Sequence, residues 1–394
     1  MSTPRLAYSS LQELAREVGL AVVAVGDTAA LEADRGFLKS WQDQGCAAEL
    51  HYMEREADLL ASPLRLLPSA RSIVVFGVPY DAVQTGILGP DEGRVARYAW
   101  GRDYHKVLRK RLEAFVKVVE AHLGRTVEHR VFSDSVPLLE RALARKSGMG
   151  FIGKNTMLIA PRLGSFLFLA EVLWGVDVEM PPQSPPRGSS AGCGTCSRCI
   201  DDCPTGAFVS ERVLDANRCI SYLTIEKRGA LTAQERLWLG DWVFGCDRCQ
   251  EVCPHNFVTL KRGRRASLPE LSAAAGIGEV LSLSEVLGMR TDERFRARFA
   301  GTALMRTKRE GLLRNAAVVG ANKHATHLLA TLEEVATSDL SPVVRQHALW
   351  SHAVISKREG GSVQAHSKQL VERALQDVDQ AVQDEALQML PNLS

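Results

Sequence analysis

Residues 192–204 read GCGTCSRCIDDCP, and residues 245–254 read GCDRCQEVCP. The first stretch has the spacing C-x2-C-x2-C-x3-C-P, which lets one short loop hold a cubane iron–sulfur cluster. The second stretch ends in the same Cys-Pro pair but lacks the first of the four cysteines. The sequence therefore predicts a ferredoxin-like domain with two 4Fe-4S clusters, for which one ligand lies outside the two stretches.

The ligand sets follow from two-cluster ferredoxins, in which the fourth cysteine of each run binds the other run's cluster. This rule predicts a first cluster on Cys193, Cys196, Cys199 and Cys253. It predicts a second cluster on Cys203, Cys246, Cys249 and one further cysteine. Cys219 lies between the two runs, whereas Cys46 lies far upstream, so we assign Cys219 as the missing ligand. Residues 220–245 then form an insertion that splits the second ligand loop.

Structural zinc sites are the alternative, since C-x2-C pairs are also typical of zinc ribbons. Zinc does not explain the third closely spaced cysteine or the two Cys-Pro endings. Nine cysteines in 394 residues, mostly in such spacings, indicate metal in a reducing compartment rather than disulfides. With no long apolar run and no export signal at the N-terminus, we expect a cytoplasmic protein and exclude membrane transport.

Three domains are expected from the patterns along the chain. Residues 1–180 alternate helical and strand-like segments, including an apolar strand at 72–79 and a helix at 104–123 that ends at Gly124, and so predict an α/β domain. The Pro- and Ser-rich residues 181–190 are typical of a linker. We expect the cysteine domain to span 181–265 and a helical domain to span 266–394.

The C-terminal region carries a weak internal repeat. The segments SPVVRQHALWSH (341–352) and DQAVQDEALQML (379–390) share Val-x-x-x-Ala-Leu, with Val344 matching Val382 and Ala348 matching Ala386. The spacing between the two segments is close to the period of paired-helix repeats of the HEAT type. Such repeats build concave binding surfaces. The alternative is an unrelated helical cap; we favour HEAT-like repeats.

A glycine-rich motif, GMGFIGKN at 148–155, partly matches dinucleotide and phosphate loops. Those loops follow a strand and precede a helix, whereas here a predicted helix comes first and a strand-like segment comes after. The order argues against nicotinamide or ATP binding. Glycines that let the backbone approach another flat cofactor suit the pattern better.

Asp134 stands out in the first domain because it follows the strand-like segment VEHRVF (127–132). Ligands of open α/β sheets gather beyond the carboxyl ends of strands, which favours a functional carboxylate. Alternatively, Asp134 caps a helix that begins near Pro137. Position alone does not separate these two roles.

Six segments together resemble the epoxyqueuosine reductases, and the resemblance covers about residues 1–320. They are RYAWGRDYH (97–105), SDS (133–135), GFIGKNTMLI (150–159), CGTCSRCIDDCPTGAF (193–208), RCISYLTIE (218–226) and GCDRCQEVCPHN (245–256). The resemblance implies a cobalamin-dependent enzyme that reduces epoxyqueuosine to queuosine at wobble position 34 of the Asp, Asn, His and Tyr tRNAs. It implies cobalamin on the N-terminal domain and an external low-potential electron donor of flavodoxin or ferredoxin type. We also expect a monomer.

The resemblance also implies roles for single residues. Asp134 matches the family's proton donor, and Ser133 and Ser135 could orient it. A carboxyl group donates well near neutral pH only when burial beside an apolar group raises its pKa. The expected cobalamin contacts are Arg55, Arg97, Asp134, Ser135, Lys154, Cys246 and Asp247.

Basic segments are candidates for contact with tRNA. The run LKRGRR (260–265) has four cations and no acid, and a second basic pair lies upstream. Such runs are usually solvated surface, but a tRNA substrate favours phosphate contact. The expected contacts are Lys227, Arg228, Lys261, Arg262, Arg264 and Arg265.

Two other classes of protein also contain paired iron–sulfur clusters and are alternatives to this function. Reductive dehalogenases also combine cobalamin with paired clusters, but they usually carry a twin-arginine signal that this sequence lacks. A plain ferredoxin-like electron carrier would leave the first 180 residues without a chemical role. The sequence therefore favours the tRNA-modifying reductase.

Overall fold

The computed structural model describes residues 5–53, 57–80, 86–180, 192–261 and 266–393. The chain forms two compact units that alternate along the sequence. Unit 1 comprises Met1–Val83, Trp100–Asn217 and Asp247–Gly276, and unit 2 comprises Gln84–Ala99, Arg218–Cys246 and Ile277–Ser394. The three domain boundaries expected from the sequence stay a prediction.

The α-helices and strands are numbered in chain order. The helices are α1 Tyr8–Glu17, α2 Glu32–Asp43, α3 Ala57–Leu60, α4 Tyr104–Leu123, α5 Glu140–Lys146, α6 Arg198–Asp201, α7 Ile220–Ile225, α8 Ala233–Trp238, α9 Arg248–Glu251, α10 Pro254–Lys261, α11 Leu283–Leu287, α12 Asp292–Phe299, α13 Lys308–Asn322, α14 Leu329–Ser338, α15 Pro342–Glu359, α16 Gly361–Ala374 and α17 Gln380–Met389. The strands are β1 Arg5–Leu6, β2 Val22–Gly26, β3 Ser72–Pro79, β4 Glu92–Val95, β5 His129–Phe132, β6 Phe151–Ile152, β7 Leu158–Ile159, β8 Leu167–Trp174, β9 Asp177–Val178, β10 Phe208–Ser210, β11 Val213–Leu214, β12 Trp242–Phe244 and β13 Val280–Ser282.

The main sheet of unit 1 has the strand order β2-β3-β8-β5, and every neighbouring pair is antiparallel. The apolar run in β3 is buried on both faces, as expected for a central strand. The predicted alternation of helices and strands is present. This sheet is not the parallel one that an α/β pattern suggests, so the rule for parallel strand ends does not place Asp134.

The predicted bounds are confirmed for one helix and are wrong for another. Helix α4 has the predicted bounds, since Asp103 caps its first turn and Gly124 ends it with a φ of 63°. Helix α5 begins at Glu140 rather than near Pro137, and its N-cap is Leu139. Asp134 therefore does not cap this helix, and the capping alternative is wrong.

Unit 2 contains a small sheet of order β12-β4-β13 and the C-terminal helices. Helix α15 packs against α13, α14, α16 and α17. The matched residues of the internal repeat, Val344 and Ala348 in α15 and Val382 and Ala386 in α17, are all fully buried. The helical C-terminal region is thus present, and its classification as HEAT-like stays a prediction. Among the described residues, no helix combines the length and apolarity needed to cross a membrane.

The C-terminal helices hold the inserted segment 220–245 through buried polar side chains. Arg314 of α13 donates hydrogen bonds to the carbonyls of Leu223, Lys227 and Gly229 at 2.7–3.0 Å. Arg236 of α8 forms a two-bond ion pair with Glu385 of α17, at 2.6 and 2.7 Å. The segment is therefore fixed by helices that follow it in the chain.

Candidate active site and cluster ligands

Four cysteine thiols come together in unit 1. The pKa of the Cys199 thiol is raised to about 11, first by burial and then by the neighbouring charges of Cys193, Cys253 and Cys196. Burial likewise raises the pKa of the Cys253 thiol, with smaller contributions from Cys193 and Cys196. These four are the residues predicted to bind the first cluster. Within the described ranges, no group of three or more His, Cys, Asp or Glu side chains is arranged to hold a single metal ion.

Two ligands expected for the second cluster lie close to one another in unit 2. Cys246 packs with Tyr98 against a small apolar cluster that includes Ile220. Ile220 is the first residue of α7, and Cys219 is the residue that caps this helix. Cys246 and the residue that follows Cys219 thus take part in the same apolar cluster, and the assignment of Cys219 stays a prediction.

The other two ligands expected for that cluster lie in unit 1, at the ends of α6 and α9. Arg248 donates two hydrogen bonds to the carboxylate of Asp202, both at 3.0 Å. Asp202 immediately precedes Cys203 in the sequence, and Arg248 immediately precedes Cys249. The grouping of all four cysteines into one ligand set rests on the C-x2-C spacing and stays a prediction.

The glycine-rich motif forms a tight β6–β7 hairpin that contacts both cysteine runs. The backbone N–H of Lys154 donates to Cys193 Sγ at 3.3 Å. The side-chain amide of Asn155 donates to the carbonyl of Cys249 at 3.2 Å. A Cβ atom at Gly150 would overlap the Ile159 carbonyl, so this glycine permits the close approach of the two strands. As expected, a helix precedes the motif, and the motif is not a nucleotide-binding loop.

The same hairpin forms part of the wall of a cavity of about 420 Å³ in unit 1. Ile152 and Thr156 of the hairpin, together with Asp134, lie at this wall. The other lining residues are Asp34, Phe37, Leu38, Trp41, Tyr52, Met53, Leu138, Leu139, Glu140, Arg141, Ala142, Arg145, Arg212 and Leu214. The cavity thus combines an apolar wall with a polar margin, and it is separated from the cysteine runs by one short hairpin.

Asp134 lies at this wall in a left-handed backbone conformation, with a φ of 51°. Its side chain is 71% exposed, so the burial that the sequence analysis required of the proton donor is not seen in this structure. The Tyr104 hydroxyl donates to Asp134 Oδ2 at 2.7 Å, and His105 Nε2 lies 3.8 Å from the same oxygen. Ser133 is buried and donates its hydroxyl to the Leu169 carbonyl, so it fixes the loop rather than the carboxylate. Tyr104 and His105 belong to the quoted segment RYAWGRDYH, but the sequence did not single them out.

Two further acids, which the sequence analysis missed, lie behind Asp134. The backbone N–H of Asp134 donates to Glu140 Oε1 at 2.6 Å, and Glu140 contacts the carboxyl group of Glu171. Burial, and then the charges of Glu140 and Asp134, raise the pKa of Glu171 well above its usual value. The available signal was the single charged residue within the apolar strand SFLFLAEVLW (165–174).

A second cavity of about 470 Å³ adjoins the Asp134 loop and is markedly basic. Lys106, Arg109 and Arg130 line it, with Ser133 and Ser135 of the loop at one side. In the part of the chain that the structure describes, the side chains of Arg109 and Arg130 take part in no hydrogen bond or ion pair. This surface is suited to an anionic ligand.

Three of the other residues expected to contact cobalamin are buried. Lys154 is buried, and its ammonium group pairs with Glu211 at 2.6 Å. Arg97 and Asp247 are also buried. Arg55 lies outside the described residues. The roles of these residues, and of Ser135 and Cys246, in binding cobalamin stay predictions.

Of the expected tRNA contacts, two already have partners within unit 2. Lys227 pairs with Glu235 at 2.7 Å, and Arg228 donates to the carbonyls of Ile225, Arg306 and Thr307. Lys261 is exposed at the end of α10. The described part of the chain does not include Arg262, Arg264 and Arg265. All six assignments stay predictions.

The fold and the site define an iron–sulfur protein with a carboxylate-lined cavity next to its cysteine domain. Two family models match: the 4Fe-4S double cluster binding domain over residues 192–256, and epoxyqueuosine reductase QueG, DUF1730, over residues 61–135. The epoxyqueuosine reductase of Xanthomonas campestris is 38% identical over 356 residues, which are 89% of this chain and 96% of that protein. The chain belongs to the epoxyqueuosine reductase family and is an oxidoreductase.

Solved structures agree with this assignment. One is an epoxyqueuosine reductase with an epoxyqueuosine-modified tRNA-Tyr stem loop, with a TM-score of 0.86, 27% identity and 98% coverage of both chains. Another, from Bacillus subtilis, has a TM-score of 0.82 at the same identity and coverage, and its Asp134 catalytic loop is swung out of the active site. The corresponding loop in that relative therefore has at least one position away from the site.

Proposed function

We propose that this protein reduces epoxyqueuosine to queuosine in tRNA, at the wobble position of the Asp, Asn, His and Tyr tRNAs. The observation that carries the proposal is the β6–β7 hairpin, which contacts both cysteine runs and lines the cavity at Asp134. Electrons from the clusters and the carboxyl group of Asp134 then reach the same cavity. The names of the relatives support the substrate, and they do not favour a dehalogenase.

The residues fit the chemistry of removing an epoxide oxygen. Loss of the oxygen as water consumes two electrons and two protons, and it leaves a carbon–carbon double bond. Opening of the strained ring leaves an alkoxide that requires a proton, and Asp134 is the acid at the cavity wall that is free to approach it. Tyr104 and His105 hold the Asp134 carboxyl group on one side.

Cobalamin fits the composition of this cavity. A corrin has a flat apolar face and a margin of amides, and the wall offers Leu138, Leu139 and Ile152 beside the polar Arg141 and Arg212. The protein residues that would hold it are those lining the cavity, together with the contacts expected from the sequence. When bound, cobalamin supplies a strongly nucleophilic reduced cobalt that can open the epoxide.

The proposed partners follow from the same scheme. The basic cavity beside the Asp134 loop, with Lys106, Arg109 and Arg130, supports binding of the phosphate backbone of tRNA near the reacting base. An external donor of flavodoxin or ferredoxin type supplies the electrons. We further propose that the protein acts as a monomer in the cytoplasm.

The direct test is to purify the protein anaerobically, measure its corrin absorbance and iron, and incubate it with reductant and epoxyqueuosine tRNA. Mass analysis of the nucleosides should show loss of one oxygen atom. A protein that binds corrin and iron but leaves epoxyqueuosine unchanged would contradict the proposed substrate. A protein without corrin would point to an electron carrier.

Removal of Cys219, the proposed eighth cysteine ligand, should cause the loss of one cluster. Cys219→Ala is expected to lower the iron content toward half, because a cubane lacking one of four thiolates is easily lost. Cys46→Ala is the control, since Cys46 is a cysteine of the same chain that lies outside both runs. Iron per protein, measured after anaerobic reconstitution, checks the prediction. Equal iron in the two variants would contradict the assignment of Cys219.

The basic run should contribute to the salt dependence of tRNA binding. Changing Lys261, Arg262, Arg264 and Arg265 to Glu is expected to weaken binding and flatten its salt dependence. Each lost phosphate contact removes roughly 0.7–0.9 from the slope of log affinity against log salt. Arg16→Glu with Arg125→Glu, two exposed cations elsewhere, is the control. A salt-dependence slope equal to that of the wild type would show that the run is ordinary solvated surface and does not contact tRNA.

A further inference from the structure

The position of the Asp134 loop depends on a carboxyl group that is buried in the main sheet. Glu171 lies in β8, and the strand register pairs it with Phe132, two residues before Asp134. Its side chain is fully buried. Across the described residues, no donor group reaches either of its oxygens. A buried carboxylate without donors is costly, and this requires an explanation.

Glu140 provides that explanation, because it lies between Glu171 and the loop. Its carboxyl group contacts that of Glu171, and its Oε1 accepts the backbone N–H of Asp134 at 2.6 Å. Two carboxylates in contact repel each other, whereas one proton between them forms a hydrogen bond. With that proton, Glu171 donates to Glu140, and Oε1 of Glu140 still accepts the Asp134 amide.

We propose that Glu140 and Glu171 share one proton and act as a latch that positions the Asp134 loop at the cavity. The left-handed backbone of Asp134 is strained for a residue other than glycine, so the loop needs such an anchor to keep this conformation. The relative whose loop is swung out of the active site shows that the loop has another position available in that protein. Glu140 and Glu171 are positioning residues, since the proposal has them act on the reaction through the Asp134 loop.

The latch should be sensitive to alkaline pH. Burial raises the pKa of Glu171, and the charges of Glu140 and Asp134 raise it further. The proton is therefore present at neutral pH and is lost only as the pH rises through the raised pKa. Loss of the proton leaves two facing carboxylates and releases the loop. The other charged or titratable groups that face this pair are Asp134 on the loop, Arg141 on α5 and, beyond Arg141, Tyr52.

Hydrogen exchange of the Asp134 amide tests the latch without requiring turnover. Glu140→Ala removes the acceptor and should speed exchange of this amide by up to about 10-fold, the usual contribution of one hydrogen bond. Glu120→Ala is the matched control, because Glu120 Oε1 accepts the N–H of Val127, just before the other end of β5, at 2.9 Å. It should leave the Asp134 amide unchanged. Unchanged exchange of that amide in Glu140→Ala would overturn the proposal.

The pH profile of turnover provides a second test, which rests on the proposed function. Glu171→Gln carries a permanent N–H donor toward Glu140, so it should keep activity at alkaline pH where the wild-type enzyme loses it. Glu171→Leu fills the space without a donor and should be slow at all pH values. It is expected to fold, because it replaces a buried polar group that has no donor with an apolar one. The same alkaline decline in the wild type and in Glu171→Gln would exclude the shared proton. If no variant turns over epoxyqueuosine tRNA, the exchange data still decide whether the latch exists.

Discussion

Asp134→Asn is expected to reduce turnover of epoxyqueuosine tRNA by about 10²–10⁴-fold, the usual contribution of general acid catalysis. Asparagine keeps the size of the side chain and can still accept the hydrogen bond from the Tyr104 hydroxyl, which is 2.7 Å long in the native protein. It cannot release a proton to an alkoxide. Single-turnover rates with prereduced enzyme measure this step directly. Corrin and iron content should not change.

Asp103→Asn is the matched control for this substitution. Asp103 is a neighbouring acid that caps α4 by accepting the backbone N–H of His105 at 3.2 Å. Asparagine caps helices about as well as aspartate, so this variant should stay within a few-fold of the wild-type rate. Should Asp134→Asn turn over as fast as Asp103→Asn, another group must donate the proton.

Glu385→Ala is expected to destabilise unit 2 by about 3–5 kcal/mol, the usual cost of leaving one partner of a buried ion pair alone. The side chains of Arg236 and Glu385 are only 4% and 8% exposed. The guanidinium of Arg236 also lies 4.9 Å from the Trp350 ring, so it cannot move to solvent without disrupting this packing. Urea unfolding followed by circular dichroism measures the change in the free energy of unfolding.

An exposed pair in the same unit supplies the comparison. Arg298 and Glu285 form an ion pair at 2.8 Å, with side chains 39% and 45% exposed. Glu285→Ala should cost less than about 1 kcal/mol, because water solvates the remaining charge. Replacing both buried partners, as Arg236→Met with Glu385→Leu, should recover most of the lost stability. Equal losses in Glu385→Ala and Glu285→Ala would show that burial of the pair is unimportant.

Local patterns allowed much of the fold to be predicted. Helix α4 could be located at both ends, because Asp103 and Gly124 have side-chain and backbone preferences that act within one turn. Strand β3 could be predicted for a similar reason, since a short uninterrupted apolar run of this kind is compatible with few secondary structures other than a buried strand. The antiparallel order of the sheet was not foreseen, because pairing between distant strands leaves no mark on the residues of one strand.

The candidate site was predicted where the spacing of residues determines the chemistry. Closely spaced cysteines identify a cluster wherever the chain carries them, so the set around Cys199 could be named from the sequence. Glu140 and Glu171 could not, because their importance comes from contact between a helix and a strand. The partners of Lys227 and Arg228 within unit 2 could not be foreseen either, because they come from residues distant in the sequence or from a later turn. Their expected contact with tRNA stays a prediction.

The dependence of residues 220–245 on later helices has a consequence for biosynthesis. Arg314, His347 and Glu385 bind this segment, and all three follow it in the chain. A growing polypeptide therefore exposes Cys219 and Cys246 well before the helices that fix them have left the ribosome. The four thiols around Cys199 need only residues of unit 1, which ends at Gly276. Under the proposed ligand assignment, the first set can receive iron during translation, whereas Cys219 and Cys246 of the second set are fixed only after the C-terminal helices have folded. A premature stop codon within the C-terminal helices should yield a polypeptide that acquires one cluster and never the other.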